Sequence, residues 1–372
     1  MDPRFFWVGR CLAATMCLLA LSSSAERASA QEAPIPCASA QSPEPLPLPV
    51  STATLRAARR TVPRGAGDFD IVLEAGVTLA ANAPALAAFE RAAQSWEDRF
   101  TDPITVTIQA DLFDFGNAVT IGSTLPVVLN GPFATVRSFL VADSLNEPDD
   151  TIVASIPTEA NFNYFAVNNY SANATKATKA SLKAAGASGL DETFGASDGT
   201  IVFNTQFAFD FDSSDGITED TVDFETVAAH EIAHLLGFFS NVDTVDQLVF
   251  AGAPPQPTQI ATLDLFRFRR DMANNPAVVA DFATFPRTQT PNSDDVTDDV
   301  EAEYRMSSGA RTGDGRQASH WKDDHITGVL IGLMDPNLDQ GEIHEITDAD
   351  VRALDLIGYE TNAVVCGNGS PR

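Results

Sequence analysis

Residues 230–237 read His230-Glu231-Ile232-Ala233-His234-Leu235-Leu236-Gly237. Two histidines four positions apart project from one face of a helix, where both imidazoles can hold a single ion. Glu231 follows the first histidine, so its carboxylate can reach a water on that ion and take its proton. Gly237 can adopt the left-handed backbone that ends a helix and turns the chain away. Val227, Ala228, Ile232 and Leu235 make the flanks apolar, as in a buried helix, and Asp223 stands where an N-cap belongs. The bland alternative is a helix that carries two histidines by chance. With only five histidines in 372 residues, the octet reads as a metal site.

Working outward from the octet, the N-terminus predicts export. Arg4 and Arg10 precede an apolar run from Cys11 to Leu21, followed by small residues with cleavage sites after Ser23-Ser24-Ala25 or Ala28-Ser29-Ala30. This is the layout of a secretory signal peptide over residues 1–30, and the run is too short to span a membrane. No later stretch is expected to anchor the chain, so a secreted protein, extracellular or periplasmic, is expected. Residues 31–66, rich in Pro, Ala and Ser, read as a linker or short pro-region. The formal net charge is −28, and loss of the leader would leave 20 basic against 49 acidic residues. A surface of that sign repels nucleic acid and anionic membranes, and neither is expected as a partner.

Acidic clusters raise the question of calcium. Asp210-Phe211-Asp212-Ser213-Ser214-Asp215-Gly216 has the look of a Ca²⁺ loop, but its glycine falls one place late for an EF-hand and Thr221 stands where the closing glutamate belongs. The run Asp294, Asp295, Asp298, Asp299, Glu301 and Glu303 reads as a solvated loop. Cys37 and Cys366 are the cysteines left after the leader. In an oxidising compartment the favoured reading is one bridge between them; the alternative is a free Cys37 that ligates the metal and holds a precursor inactive.

Ordered structure is expected from Asp68, with strands where Phe69, Ile71 and Leu73, then Ile104, Val106 and Ile108, alternate. Leu86, Phe89, Ala93 and Trp96 recur at helical spacing between Pro84 and Phe100, with Asn82 as N-cap. A strand within 152–165, a helix over 175–185 and a strand over 200–207 complete a lobe from 67 to 237. The next eighty or so residues look irregular. In the second lobe, 238–360, Ser319-His320-Trp321-Lys322 and Leu333-Met334-Asp335-Pro336 stand out. Thr347 and Asp350 form a capping pair for a final helix with Val351, Leu354 and Ile357 on one face and Gly358 as its stop. Residues 361–372 form a tail. The fold class is α+β, a sheet backing two helices. His325 and His344 read as surface or turn histidines, and Trp321 as packing.

These residues resemble the metzincin zinc endopeptidases, and within them the leishmanolysin-like branch. The likeness rests on His230-Glu231-x-x-His234-x-x-Gly237, a distant histidine and a methionine turn. Metzincins usually carry a third histidine three residues beyond the glycine; here that position is Ser240. In the leishmanolysin-like branch an insertion separates the glycine from a third histidine in a Ser-His-Trp setting, which His320 matches, and Met334-Asp335-Pro336 matches the methionine turn. The chain is also similar to secreted bacterial metalloproteases with His-Trp-Lys-Asp-Asp and Leu-Met-Asp-Pro signatures. The likeness is specific from about 200 to 360. It implies an N-terminal twisted mixed sheet with two long helices, a largely irregular C-terminal lobe, a zinc cleft between them, and an edge strand that holds an extended peptide.

The chemistry implies the same parts. Three neutral protein ligands leave Zn²⁺ an open position for water, and Glu231 would act as general base. Ser240 is a poor ligand, so the third is His320 or, nearer in sequence, the carboxylate of Asp243; three imidazoles keep the full charge on the ion and favour His320. Met334 would form an apolar floor beneath the histidines. The expected partner is a protein or peptide substrate, acted on by a monomer. A zinc hydrolase of a non-protein amide and a catalytically silent binding protein are the competing readings.

Overall fold

The strand alternation at Phe69, Ile71, Leu73 and Ala75 buries one face of Asp70–Ala75, and the same period buries Val106, Ile108 and Ala110 in Thr105–Phe113. These two strands pair in parallel, Thr105–Phe113 pairs in parallel with Gly199–Asn204, and Gly122–Pro126 closes the four-stranded sheet antiparallel at its edge. The computed structural model describes residues 68–146, 150–165 and 171–361. The expected leader over residues 1–30, the 31–66 segment, Cys37 and Cys366 lie outside the described residues.

Two long helices pack together beside this sheet. Ala83–Glu97 is capped by Asn82, whose side chain accepts from the Ala85 N–H at 3.2 Å, and it buries Ala85, Ala88, Phe89, Ala92, Ala93 and Trp96. Asp223 caps Phe224–Leu236, accepting from the Thr226 N–H at 2.9 Å. Trp96 joins them, its Nε1 donating to the Ala229 carbonyl at 2.9 Å. Phe203 of the sheet lies between Phe89 and Phe224, with ring centroids 5.3 and 4.5 Å away. The histidine helix is thereby held by packing along its length.

The described residues form an α+β architecture of open sheets and ten α-helices. Beyond the main sheet, Pro257–Ala261, Ser171–Thr178 and Val128–Gly131 form a three-stranded sheet, and Arg287–Thr288 pairs with Tyr164–Phe165. Both sheets pair a strand that precedes Gly237 with one that follows it. No helix among the described residues is long and apolar enough to cross a membrane.

Four expectations need correction. The helix expected over 175–185 is a strand to Thr178 followed by a short helix, Lys179–Ala184; pairing on both edges outweighs the helical preference of Ala and Lys. The region after Gly237 is not irregular: it holds the helix Val242–Phe250 and the antiparallel sheet Arg267–Arg269, Asp295–Asp298 and Glu303–Met306. Asp295, Asp298 and Asp299 are buried instead of solvated, and Arg267 pairs with Asp295 at 2.8 Å. His344 is buried too, its N–H donating to the Thr226 hydroxyl at 3.2 Å, whereas His325 is exposed.

Candidate metal centre

His230 and His234 lie on the inner face of Phe224–Leu236, one turn apart, with ring centroids separated by 4.8 Å. The helix ends where Gly237 takes a φ of 134°, and a Cβ at that position would also meet Ile357 Cδ1 at 2.7 Å. The backbone angle requires glycine, and the close approach adds to the cost of any side chain there. The turn that Gly237 allows brings the Phe238 carbonyl to 2.7 Å from His234 Nδ1. The last helical carbonyl, Leu236, is satisfied by Thr178 Oγ1 at 3.1 Å and the Tyr359 hydroxyl at 2.8 Å.

His320 reaches the same point from a distant segment. Its ring centroid lies 5.2 Å from that of His230 and 4.9 Å from that of His234. The segment is fixed on several sides. Ser307 N–H donates to the His320 carbonyl at 3.0 Å, Trp321 N–H to the Met334 carbonyl at 2.9 Å, and Trp321 Nε1 to Asp350 at 2.7 Å. Asp350, read in the sequence only as a helix cap, also accepts from the N–H groups of Leu333 and Met334 at 2.8 and 3.2 Å. Leu333 in turn offers its carbonyl to His230 Nδ1 at 2.8 Å. One carboxylate therefore ties the third-histidine segment, the methionine segment and the final helix together. Met334 is fully buried.

Asp243 does not join the histidines, which corrects its candidacy as third ligand. Its two oxygens accept from the N–H groups of Ala318 and Ser319 at 2.6 and 3.1 Å and from the Ser319 hydroxyl, so the carboxylate braces the approach to His320. Ser240 Oγ donates to Asp264 at 2.6 Å. His230, His234 and His320, all buried, form a group whose ligand atoms lie within 4.8 Å of one another and could hold a metal ion.

The hydrogen bonds decide which nitrogens face inward. A carbonyl can only accept, so His230 and His234 carry their protons on Nδ1, and Gln317 O at 3.2 Å does the same for His320. Each Nε2 is then a bare lone pair. His230 Nε2 is buried without a hydrogen-bond partner, and His234 Nε2 stands 3.3 Å from His320 Nε2. Two lone pairs at that distance repel unless a cation lies between them. Tetrahedral zinc with Zn–N bonds of about 2.0–2.1 Å places its nitrogens roughly 3.3–3.4 Å apart. Burial, followed by the neighbouring histidines, pushes His230 and His320 well below the ordinary imidazole range, and burial pushes His234 down to about 4. All three are neutral at neutral pH, as ligands must be.

Glu231, next to His230 in the helix, is fully buried, and burial raises its carboxyl to about 8 against the hydrogen bond from Thr124. Thr124 Oγ1 lies 2.6 Å from Glu231 Oε2, and Glu231 Oε1 has no hydrogen-bond partner. Neither Thr124 nor the bracing roles of Asp243 and Asp350 follow from sequence spacing, because each depends on a tertiary contact.

Elsewhere, Asp210 and Asp212 of the Asp210–Gly216 loop accept hydrogen bonds from nearby backbone. Asp210 accepts from the N–H groups of Asp212 and Thr218 at 2.9 and 2.7 Å, and Asp212 from Ser214. Asp323, Asp324 and His325 form a second group within reach of one ion, but Asp323 already accepts from Arg316, Asn337 and the His325 N–H. No protein-family model, curated protein or solved structure matches the chain.

Proposed function

We propose that this chain is an exported zinc-dependent endopeptidase of metzincin-like, leishmanolysin-type build. The observation that carries the reading is the grouping of three buried imidazoles, with Glu231 next to His230 in the same helix and one of its carboxylate oxygens without a partner. Three bare Nε2 atoms suit a borderline-soft divalent ion, and His230, His234 and His320 would hold it. When bound, zinc supplies a Lewis acid that lowers the pKa of water and polarises a carbonyl. Glu231 Oε1 would take the proton of the attacking water and deliver it to the departing amine.

The edge strand Gly122–Pro126 pairs with Gly199–Asn204 on one side and is the last strand of its sheet. An extended peptide added along its other edge would run past Glu231, and this main-chain recognition accommodates many sequences. Residues 1–30 would direct export. Glu231→Gln tests the reading, because it retains the ligands and removes the base. The variant should bind zinc like the parent and lose at least ~100-fold in cleavage of an unfolded protein. Full activity in that variant would refute the role of Glu231.

A further inference from the structure

Glu231 has a long side chain, and something must decide where its carboxylate points. In this structure the edge strand decides it. Thr124, itself buried, places Oγ1 2.6 Å from Glu231 Oε2 and 2.9 Å from the Glu231 carbonyl. A hydroxyl has one proton to donate, and the shorter contact is to the carboxylate. Gly122 lies two residues earlier and therefore on the same face of the strand. A Cβ at Gly122 would meet Glu231 Oε1 at 2.5 Å and the Glu231 Cγ and Cδ atoms at 3.0 Å. The antiparallel register, Gly122 opposite Phe203 and Thr124 opposite Ile201, sets both against the helix. One strand face thus grips one carboxylate oxygen and leaves room for the other, the oxygen without a partner.

We infer that Thr124 and Gly122 are positioning residues that hold Glu231 for proton transfer: Thr124 by anchoring Oε2, Gly122 by having no side chain where Oε1 must stand. The inference rests on the endopeptidase reading. A purely structural role, satisfying a buried carboxylate, would alter stability and leave turnover alone. A positioning role alters kcat while zinc content and KM hold, because a misplaced base loses near-attack geometry without loosening the substrate.

The test compares Thr124→Val, Thr124→Ser and Gly122→Ala in the full chain. Thr124→Val and Gly122→Ala should each lower kcat by ~10-fold or more with KM and zinc stoichiometry unchanged, and Thr124→Ser should restore kcat to within about threefold of the parent. In a Glu231→Gln background, Thr124→Val should have no further effect. A second readout needs no turnover. Acetohydroxamate chelates zinc and gives its proton to a neighbouring base, so its Kd should rise by ~10-fold in Thr124→Val and Gly122→Ala. Parental kcat and acetohydroxamate affinity in folded Thr124→Val and Gly122→Ala would overturn the inference and leave the endopeptidase reading standing. A zinc-loaded parent that cleaves nothing would remove the reading and the inference together.

Discussion

At His320 the difference between a ligand and a structural histidine comes down to which nitrogen faces a carbonyl. Gln317 O takes Nδ1, leaving Nε2 aimed at the other two histidines. Asp243, the competing candidate, is occupied by Ala318 and Ser319 and acts on the site through them. The two therefore predict different losses. His320→Ala should lower zinc affinity by more than ~100-fold, and Asp243→Asn by only about tenfold, the usual effect of an outer partner. Competition with a chelator of known affinity measures both, and the reverse order would make Asp243 the ligand. His230, Glu231, His234 and Gly237 were legible in the sequence because helical spacing alone brings them together. The preference for His320 rests on the charge of a three-imidazole set and partly on family likeness, since nothing in local sequence says which distant residue folds back. Thr124 and Gly122 carried no signal, because their roles exist only against the helix.

Among the elements, caps were easier to read than pairings. Asn82, Asp223 and the Thr347–Asp350 box all stand where the sequence put them, because each acts on backbone within a turn of itself. Residues 175–178 read as helix in the sequence because the partners of their strand, Val128–Gly131 and Pro257–Ala261, lie at least forty residues away on either side. The acidic strand Asp295–Asp298 was misread because composition does not announce a distant Arg267. Asp350 joins local and distant roles. Its removal would leave Trp321 Nε1 and the Leu333 and Met334 N–H groups buried without their acceptor. Asp350→Ala should cost about 3 kcal/mol or more in stability by denaturant titration, and weaken zinc binding because Leu333 orients His230. A variant with parental stability and zinc affinity would show that this hub is dispensable.

Over the whole molecule, the excess of acid is partly internal. Arg352 gathers Asp150 at 2.6 Å, Asp299 at 2.7 Å and Asp355, so three carboxylates share one buried guanidinium. Asp102 is buried differently: burial raises its carboxyl to about 8, with Glu360 and Asp143 adding smaller repulsions. A raised carboxylate pKa means the folded state keeps a proton that the unfolded state has lost. The corresponding stability is present below the unfolded value near 3.8 and is lost as pH rises through about 8. Asp102→Asn should therefore raise the melting midpoint by more than ~2 °C at pH 8.5, with a smaller gain at pH 5. An equal change at both pH values would exclude titration of Asp102 as the cause. The zinc endopeptidase account is tested most directly by adding zinc back to chelator-stripped protein while following cleavage of an unfolded protein. Cleavage should be absent in the stripped protein and rise linearly to a plateau at about one equivalent of zinc, the stoichiometry of a single three-histidine site. Cleavage that survives stripping, or a zinc-saturated protein that leaves the substrate intact, would contradict it.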